Sequence, residues 1–389
     1  MTNIDPTAEY AAIRDGVAQV CSDFPGAYWR DLDSRRAYPE AFVKALSKAG
    51  YLSAMIPEEY GGSGLNLSAA ATILEEIHRS GCNAAACHAQ MYTMGTLLRH
   101  GNVEQKRQYL PRIADGTLRL QAFGVTEPTS GTDTLALRTT AMRDGDGYVV
   151  NGQKIWTSRA EYSDLMLLLA RTSPRDKVRK RTDGLSVFLI DLRSLVGQGV
   201  TIKPIRTMIN HATTEVFFDH ARIPASSLIG EEGKGFRYIL SGMNAERILI
   251  AAECIGDAKW FLAKAAAYAK ERIVFGRPIG CNQGVQFPLA RAHAHMMAAE
   301  AIVQRAVALY EQGLDPGVEA NTAKMLAADA SWEAGEACLQ THGGFGFAEE
   351  YDVERKFRET RLYQVAPIST NLILCYIAER ALGLPKSYA

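Results

Sequence analysis

The sequence predicts an α+β chain of several lobes. These are an N-terminal all-α domain, a middle domain built on a small antiparallel β-sheet or barrel, and a C-terminal antiparallel four-helix bundle. Three observations carry this reading. Helical periodicity fills the chain to about Leu120, β-favouring runs follow one another from Gln121 to Phe218, and four long alanine-rich helical patterns close the chain. The domains expected are residues 1–120, 121–229 and 230–389.

In the first block the helical pattern starts near Glu9. Phe42–Gly50 is amphipathic and ends in a glycine suited to a helix stop, and Leu67–Arg79 is helical again after the Gly61-Gly-Ser-Gly64 loop. That loop lacks the Gly-Lys-Ser/Thr ending of a phosphate cradle. In the second block, Tyr148–Trp156 places Asn151-Gly152 between two β-favouring runs, which predicts a hairpin. Leu165–Arg171, Leu185–Leu192, Thr201–Ile205 and Thr214–Phe218 read as strands, and the charged Ser173–Asp183 stretch as a solvated loop. In the third block, helices are expected over roughly Phe236–Arg272, Gln286–Gln312, Gly317–Thr341 and Thr370–Leu382.

Composition narrows the function. Lys+Arg and Asp+Glu both total 43, so no basic excess points to nucleic acid or anionic lipid. No apolar run is long enough to span a bilayer. The start, Met1–Pro6, lacks the charged segment and apolar stretch of a signal peptide. Seven scattered cysteines, none in Cys-x-x-Cys, indicate reduced thiols. The expected compartment is therefore the cytoplasm, and a mitochondrial matrix would require a presequence already removed. His293 and His295 are two apart, so on a helix they do not share a face, and no metal is expected.

Several segments carry chemistry. Glu246 lies in a helical run with Gly242, Met243, Leu249 and Ile250 on its face. Poor hydration there would raise its pKa and suit it to take a proton from carbon; the plainer reading is a structural acid paired with Arg247 or another cation. Phe123–Asp133 concentrates small residues, hydroxyls and acids, suited either to a polar ring system at close range or to a rigid turn. Trp156-Thr157-Ser158 offers an aromatic slab with two hydroxyls, or a core tryptophan at a strand end. Gln340–Phe347 is glycine-rich but lacks the Gly-x-Gly-x-x-Gly spacing and the strand of a nicotinamide site. Arg272–Gln283 links two long helices with a cation able to hold a phosphate.

Together these segments resemble the acyl-CoA dehydrogenase family, over nearly the whole chain from Ile56–Gly62 to the last helix. Val125-Thr-Glu-Pro128 followed by Gly131-Thr-Asp133 is similar to the family's flavin loop, and Asn151–Trp156 and Gly343–Phe347 match in the expected order. The resemblance implies FAD held between the middle sheet and the bundle. Phe123, Val125, Thr126, Gly131 and Thr132 would line the flavin, with Trp156 and Thr157 near the ring and Ser158 bonded to flavin N5. Arg272, Phe275 and Gln283 resemble contacts to the FAD phosphates and adenine, and Gln340, Gly343 and Gly344 the loop completing that site. In the family much of this second set comes from a neighbouring subunit of a dimer or tetramer. Ser369, Thr370 and Asn371 resemble a segment that touches flavin or nucleotide, and Thr132, Met243 and Arg247 face substrate.

The implied reaction is α,β-dehydrogenation of an acyl-CoA thioester, with an electron-transfer flavoprotein as acceptor, as in fatty-acid or branched-chain acyl metabolism. Many members carry the base in a late Tyr-Glu-Gly-Thr segment, whereas Leu362–Asn371 places Pro367 where that glutamate would stand. Glu246, in Ser241-Gly-Met-Asn-Ala-Glu-Arg247, matches the position used by the isovaleryl-CoA and long-chain branches, so Glu246 is the expected base. Proline has no N–H for the thioester oxygen. That leaves Ile368 as donor after a small loop shift, a register one residue off, or a substrate of unusual shape. Alternatives within the resemblance are a carrier-protein thioester (aminoacyl or prolyl), an oxidase using oxygen, and a catalytically silent binding protein.

Overall fold

The computed structural model describes residues 10–387. The expected helix start at Glu9 and the Met1–Pro6 stretch lie outside them. Six helices come first: α1 (Ala11–Ser22), α2 (Gly26–Arg35), α3 (Glu40–Lys48), α4 (Leu67–Arg79), α5 (Ala85–His100) and α6 (Val103–Ala114). Then follow β1 (Leu120–Gly124), β2 (Thr140–Asp144), β3 (Gly147–Ser158), β4 (Leu165–Arg171), β5 (Leu185–Asp191), the short α7 (Leu192–Leu195), β6 (Val200–Pro204) and β7 (Thr213–Pro224). The chain closes with α8 (Gly235–Glu271), the hairpin β8 (Ile273–Val274) and β9 (Arg277–Pro278), α9 (Gln283–Glu311), α10 (Gly317–His342), α11 (Val353–Arg361) and α12 (Thr370–Arg380). Two compact units result: one of Arg36–Leu65 with Ala85–Met243, the other of the chain up to Arg35 with Asn66–Ala84 and everything from Asn244 onward.

The first unit is organised by a seven-stranded sheet of order β1-β4-β2-β3-β7-β6, with β5 on β4. Its two cores follow from the period-two alternation of the central strands. Leu165, Leu167 and Leu169 of β4 and Leu185, Val187 and Leu189 of β5 join Met94, Leu97, Leu110 and Ile113 on one face. Met166, Leu168, Ala170, Phe188 and Ile190 join Tyr148, Val150, Val216 and Phe218 on the other. Covered on both sides, β4 and β5 read as unbroken apolar runs.

Two expectations for this unit need correction. The sheet is mixed, because β1 runs parallel to β4. Some forty residues containing the β2–β3 pair separate them, enough for the crossover that parallel pairing needs. Asn151-Gly152 does not turn a hairpin: β3 runs straight through it, and the β2–β3 hairpin turns at Asp144–Gly147. Gly152 sits instead at a register shift against β7, at φ 143°, where a Cβ would come within 2.5 Å of Thr139 Oγ1. The same Asn-Gly chemistry that makes turns here makes a bulge.

In the helical unit α9 and α10 are antiparallel, as the contacts His295–Glu333 (2.5 Å) and Arg305–Glu319 (3.2 Å) register. Helix α11 was not expected from the sequence. Its periodicity is charged, with Glu354–Arg358 and Arg355–Glu359 each paired at 2.8 Å one turn apart. Arg355 and Lys356 are nevertheless fully buried. Lys356 pairs with Asp257, which also bonds His78 Nδ1 at 2.8 Å, and the Ala84 N–H donates to His78 Nε2 at 3.1 Å. Burial pushes the Asp257 pKa up, but Lys356 and His78 outweigh it and hold the carboxyl below its usual range. Among the described residues no helix is long and apolar enough to cross a membrane, and no cluster of His, Cys, Asp or Glu could hold a metal ion.

Candidate active site and cofactor-binding surfaces

In the sheet unit, the two motifs around Thr126 and Trp156 are one structure. Glu127 is buried, and its carboxylate accepts from the Arg138 N–H (2.6 Å), the Thr139 N–H (2.8 Å) and Lys154 Nζ (2.8 Å). Lys154 has no solvent exposure and also donates to the Val125 carbonyl at 3.0 Å. Burial pulls the Lys154 pKa down to about 8 against the pull of Glu127. Burial likewise pushes Glu127 up, but Lys154 and the backbone donors leave its carboxyl below the usual value. The Ile155 N–H completes the join by donating to the Thr126 carbonyl at 2.9 Å. The sequence reading passed over Glu127 and Lys154; their signal was an acid and a lysine inside two motifs that had to meet.

This clamp sets out the predicted flavin-facing residues. Phe123 is half-buried, edge-on to Tyr92 with ring centroids 5.8 Å apart, and Val125 packs on the core. Gly131 and Thr132 are exposed, and a Cβ on Gly131 would meet nothing within 4 Å. Trp156 takes a left-handed conformation, φ 59°, and its ring is 57% exposed, so the core-tryptophan reading does not hold. Ser158 is half-exposed. Thr157 between them is wholly buried, and its Oγ1 has no hydrogen-bond partner.

In the helical unit, Glu246 is 8% exposed on α8, beside the buried Ala245, Ile248, Leu249 and Ile250. Its electrostatic surroundings are not simply apolar. Burial lowers the Arg247 pKa and Glu246 opposes that. Burial also lowers the fully buried Lys324, with Cys254, Asp329 and Glu246 opposing and Arg247 assisting. Arg247 Nη1 donates to Asn244 Oδ1 at 3.0 Å, while its buried Nε has no hydrogen-bond partner. Met243, the last residue of the other unit, packs on that unit's core.

The segment Leu362–Ser369 is pinned from behind. The Tyr363 hydroxyl donates to Glu253 at 2.9 Å, and Lys324 Nζ donates to the carbonyls of Tyr363 (2.6 Å) and Ile368 (3.1 Å). Ala366–Pro367 is a cis peptide. Ser369 caps α12 by accepting from the Leu372 N–H at 3.4 Å; Thr370 opens that helix, and Asn371 is exposed.

A third surface is a cleft of about 660 Å³ that gathers Arg272, Gln340, Gly343 and Gly344 with Tyr268, His342 and Phe345. Phe275 and Gln283 do not line it. Phe275 is 99% exposed at the tip of the β8–β9 hairpin, and Gln283 is exposed at the first turn of α9. The cleft fits the phosphate and nucleoside half of a dinucleotide. A Cβ on Gly343 or Gly344 would meet nothing within 4 Å, so a ligand can approach the backbone beside the Arg272 cation. His342 Nδ1 lies 2.8 Å from the Cys338 carbonyl, while its buried Nε2 has no protein partner. Burial keeps this imidazole below its usual pKa, so Nε2 is a free acceptor.

Comparison with known proteins decides the family. Models of the acyl-CoA dehydrogenase N-terminal, middle and C-terminal domains match residues 7–117, 122–221 and 233–382. The chain belongs to the acyl-CoA dehydrogenase family. It is an FAD-dependent oxidoreductase, and the fold expected from its sequence is that of the family. It is 33% identical over 392 residues to the acyl-CoA dehydrogenase FadE12 of Mycobacterium tuberculosis, covering 100% of this chain and 99% of that protein. Among solved structures, a glutaryl-coenzyme A dehydrogenase–glutaryl-CoA complex superposes with a TM-score of 0.90 at 28% identity, covering 98% and 97% of the two chains. The prolyl acyl carrier protein oxidase AnaB superposes with a TM-score of 0.90 at 25% identity, covering 97% and 100%.

Proposed function

We propose that this dehydrogenase removes the α-proton of an acyl-CoA thioester with Glu246 while the β-hydrogen leaves as hydride. The observation that carries the assignment is a pair of positions. Glu246 is a buried carboxylate whose charge is felt by Arg247 and Lys324, while the late segment where many relatives carry a base holds Pro367. FAD, when bound, would supply the hydride acceptor. The chain's own residues do the rest. Glu246 takes the proton, and burial excludes the water that would compete for it. The Glu127–Lys154 clamp fixes the Phe123–Thr132 loop, which with Trp156 and Ser158 would hold the isoalloxazine. The Ile368 N–H, the first after Pro367, bonds the thioester oxygen as negative charge develops there. Thr132, Met243 and Arg247 face the substrate.

Arg272, Gln340, Gly343 and Gly344 would hold the phosphates and adenosine, with Ser369, Thr370 and Asn371 completing the nucleotide contacts. Phe275 and Gln283 would reach the nucleotide of a neighbouring subunit; the bare apolar tip of Ile273, Val274 and Phe275 supports such a dimer, or a tetramer of two dimers. An electron-transfer flavoprotein would take the electrons. A second reading, a carrier-protein aminoacyl or prolyl thioester as substrate, is favoured by the likeness to the carrier-protein oxidase.

Anaerobic stopped-flow reduction of the holoenzyme across short, branched, aromatic and long acyl-CoAs and a prolyl carrier protein tests both. Bleaching by a CoA ester supports the first reading, and bleaching by the carrier thioester alone replaces it with the second. No bleaching by any member of the panel would overturn both readings.

A further inference from the structure

The buried lysine of α10 has no part in the scheme above. Lys324 has zero solvent exposure, and no carboxylate lies within ion-pairing distance of it among the described residues. A buried ammonium without a carboxylate is costly, so its contacts matter. Two of its three donors are used, and both go to the same loop: the Tyr363 carbonyl at 2.6 Å and the Ile368 carbonyl at 3.1 Å. One cation therefore joins the two ends of the Gln364–Pro367 segment. Two further bonds hold the front of that loop, Tyr363 hydroxyl to Glu253 at 2.9 Å and Gln364 Nε2 to Asp329 Oδ1 at 3.1 Å. Behind Pro367, among the described residues, Lys324 alone supplies a side-chain bond until the Ser369 cap.

We propose that Lys324 is a positioning residue for the dehydrogenation, tying the Tyr363 and Ile368 carbonyls so that the loop presents the Ile368 N–H to the thioester oxygen. This rests on the thioester reading above. A proline at 367 removes one backbone donor, so the next one must be held in place by the rest of the loop. Lys324 sits among a defined set of charges: Glu246 and Arg247 of α8, and Asp329 of its own helix. Its charge thus bears on the base and the loop together.

The test uses FAD-loaded enzyme and the Lys324→Met variant, which keeps the length of the side chain and removes the ammonium. Flavin content and circular dichroism should match the wild type. Amide hydrogen exchange at Ala366 and Ile368 should quicken at least tenfold, and flavin reduction at saturating acyl-CoA should slow at least tenfold. Affinity for an enoyl-CoA product, read by calorimetry, should fall about tenfold. Lys324→Gln, which keeps one donor, should lie between. If either variant folds with wild-type exchange at Ile368 and reduces flavin within threefold of wild type, the proposal is overturned. If neither folds, the wild type decides: enoyl-CoA must slow exchange of the Ile368 amide, and unchanged exchange overturns it. Glu246→Gln should abolish reduction while leaving loop exchange unchanged, so a failed base assignment and a failed Lys324 role give different results.

Discussion

Lys154 and Lys324 are both wholly buried lysines that staple a loop of the candidate site, one in the sheet unit and one in the helical unit. They differ in what they hold. Lys154 meets a carboxylate, Glu127, which itself collects two backbone N–H groups, so the clamp is charge-balanced and self-contained. Lys324 meets two carbonyls, and its compensating charges stand further off on Glu246 and Asp329. The first arrangement fixes a platform and keeps its charge to itself. The second fixes a loop while leaving a positive charge to be felt at the proposed base.

The comparison makes removal of one partner most costly at Lys154. Lys154→Met should leave Glu127 buried and unpaired, destabilise the sheet unit by about 3–5 kcal/mol and strip FAD; denaturant unfolding and flavin absorbance check it. The double variant Lys154→Met/Glu127→Leu should recover much of that stability, and a double variant no better than the single would show that the pair is not self-contained. Gly152→Ala, forcing a Cβ into Thr139 at positive φ, should cost about 3 kcal/mol by the same measurement.

The Lys154 clamp should also respond to pH. In the folded chain Lys154 releases its proton at about 8, below its ordinary 10.5, so between these values the unfolded chain binds more protons at this site. The contribution of this site to unfolding free energy therefore rises with pH across that window, while Glu127 loses its cation. FAD affinity, measured by fluorescence titration, should weaken from pH 8 to 10 although this site's share of global stability grows. The smallest effect is expected at Thr157, whose buried Oγ1 has no partner: Thr157→Val should change stability by less than about 1 kcal/mol and leave flavin bound.

Much of the fold was legible because apolar periodicity reports burial directly. Leu67–Arg79 was read to the residue, and β4 and β5 nearly so, since strands covered on both faces leave continuous apolar runs. Where charge replaced apolar pattern, the reading missed: α11 buries Arg355 paired with Glu359 one turn on, and Lys356 paired with Asp257 far away in sequence. Asn151-Gly152 misled because a glycine at positive φ serves a bulge as well as a turn, and only the cross-strand neighbour Thr139 distinguishes them. At the site, the family motifs gave the residues that face outward. The lysines behind them were invisible as partners, because Glu127 lies 27 residues from Lys154 and Tyr363 lies 39 from Lys324.

The central claim is that Glu246 carries the α-proton. Solvent deuterium incorporation at Cα of an acyl-CoA that reduces the wild-type flavin, followed by mass spectrometry on holoenzyme, reads that transfer apart from turnover. Wild type should wash deuterium into Cα, and Glu246→Gln, with flavin bound and the fold intact, should do so about 100-fold more slowly or less. Equal incorporation in the two proteins would contradict the account and send the search for the base elsewhere in the chain.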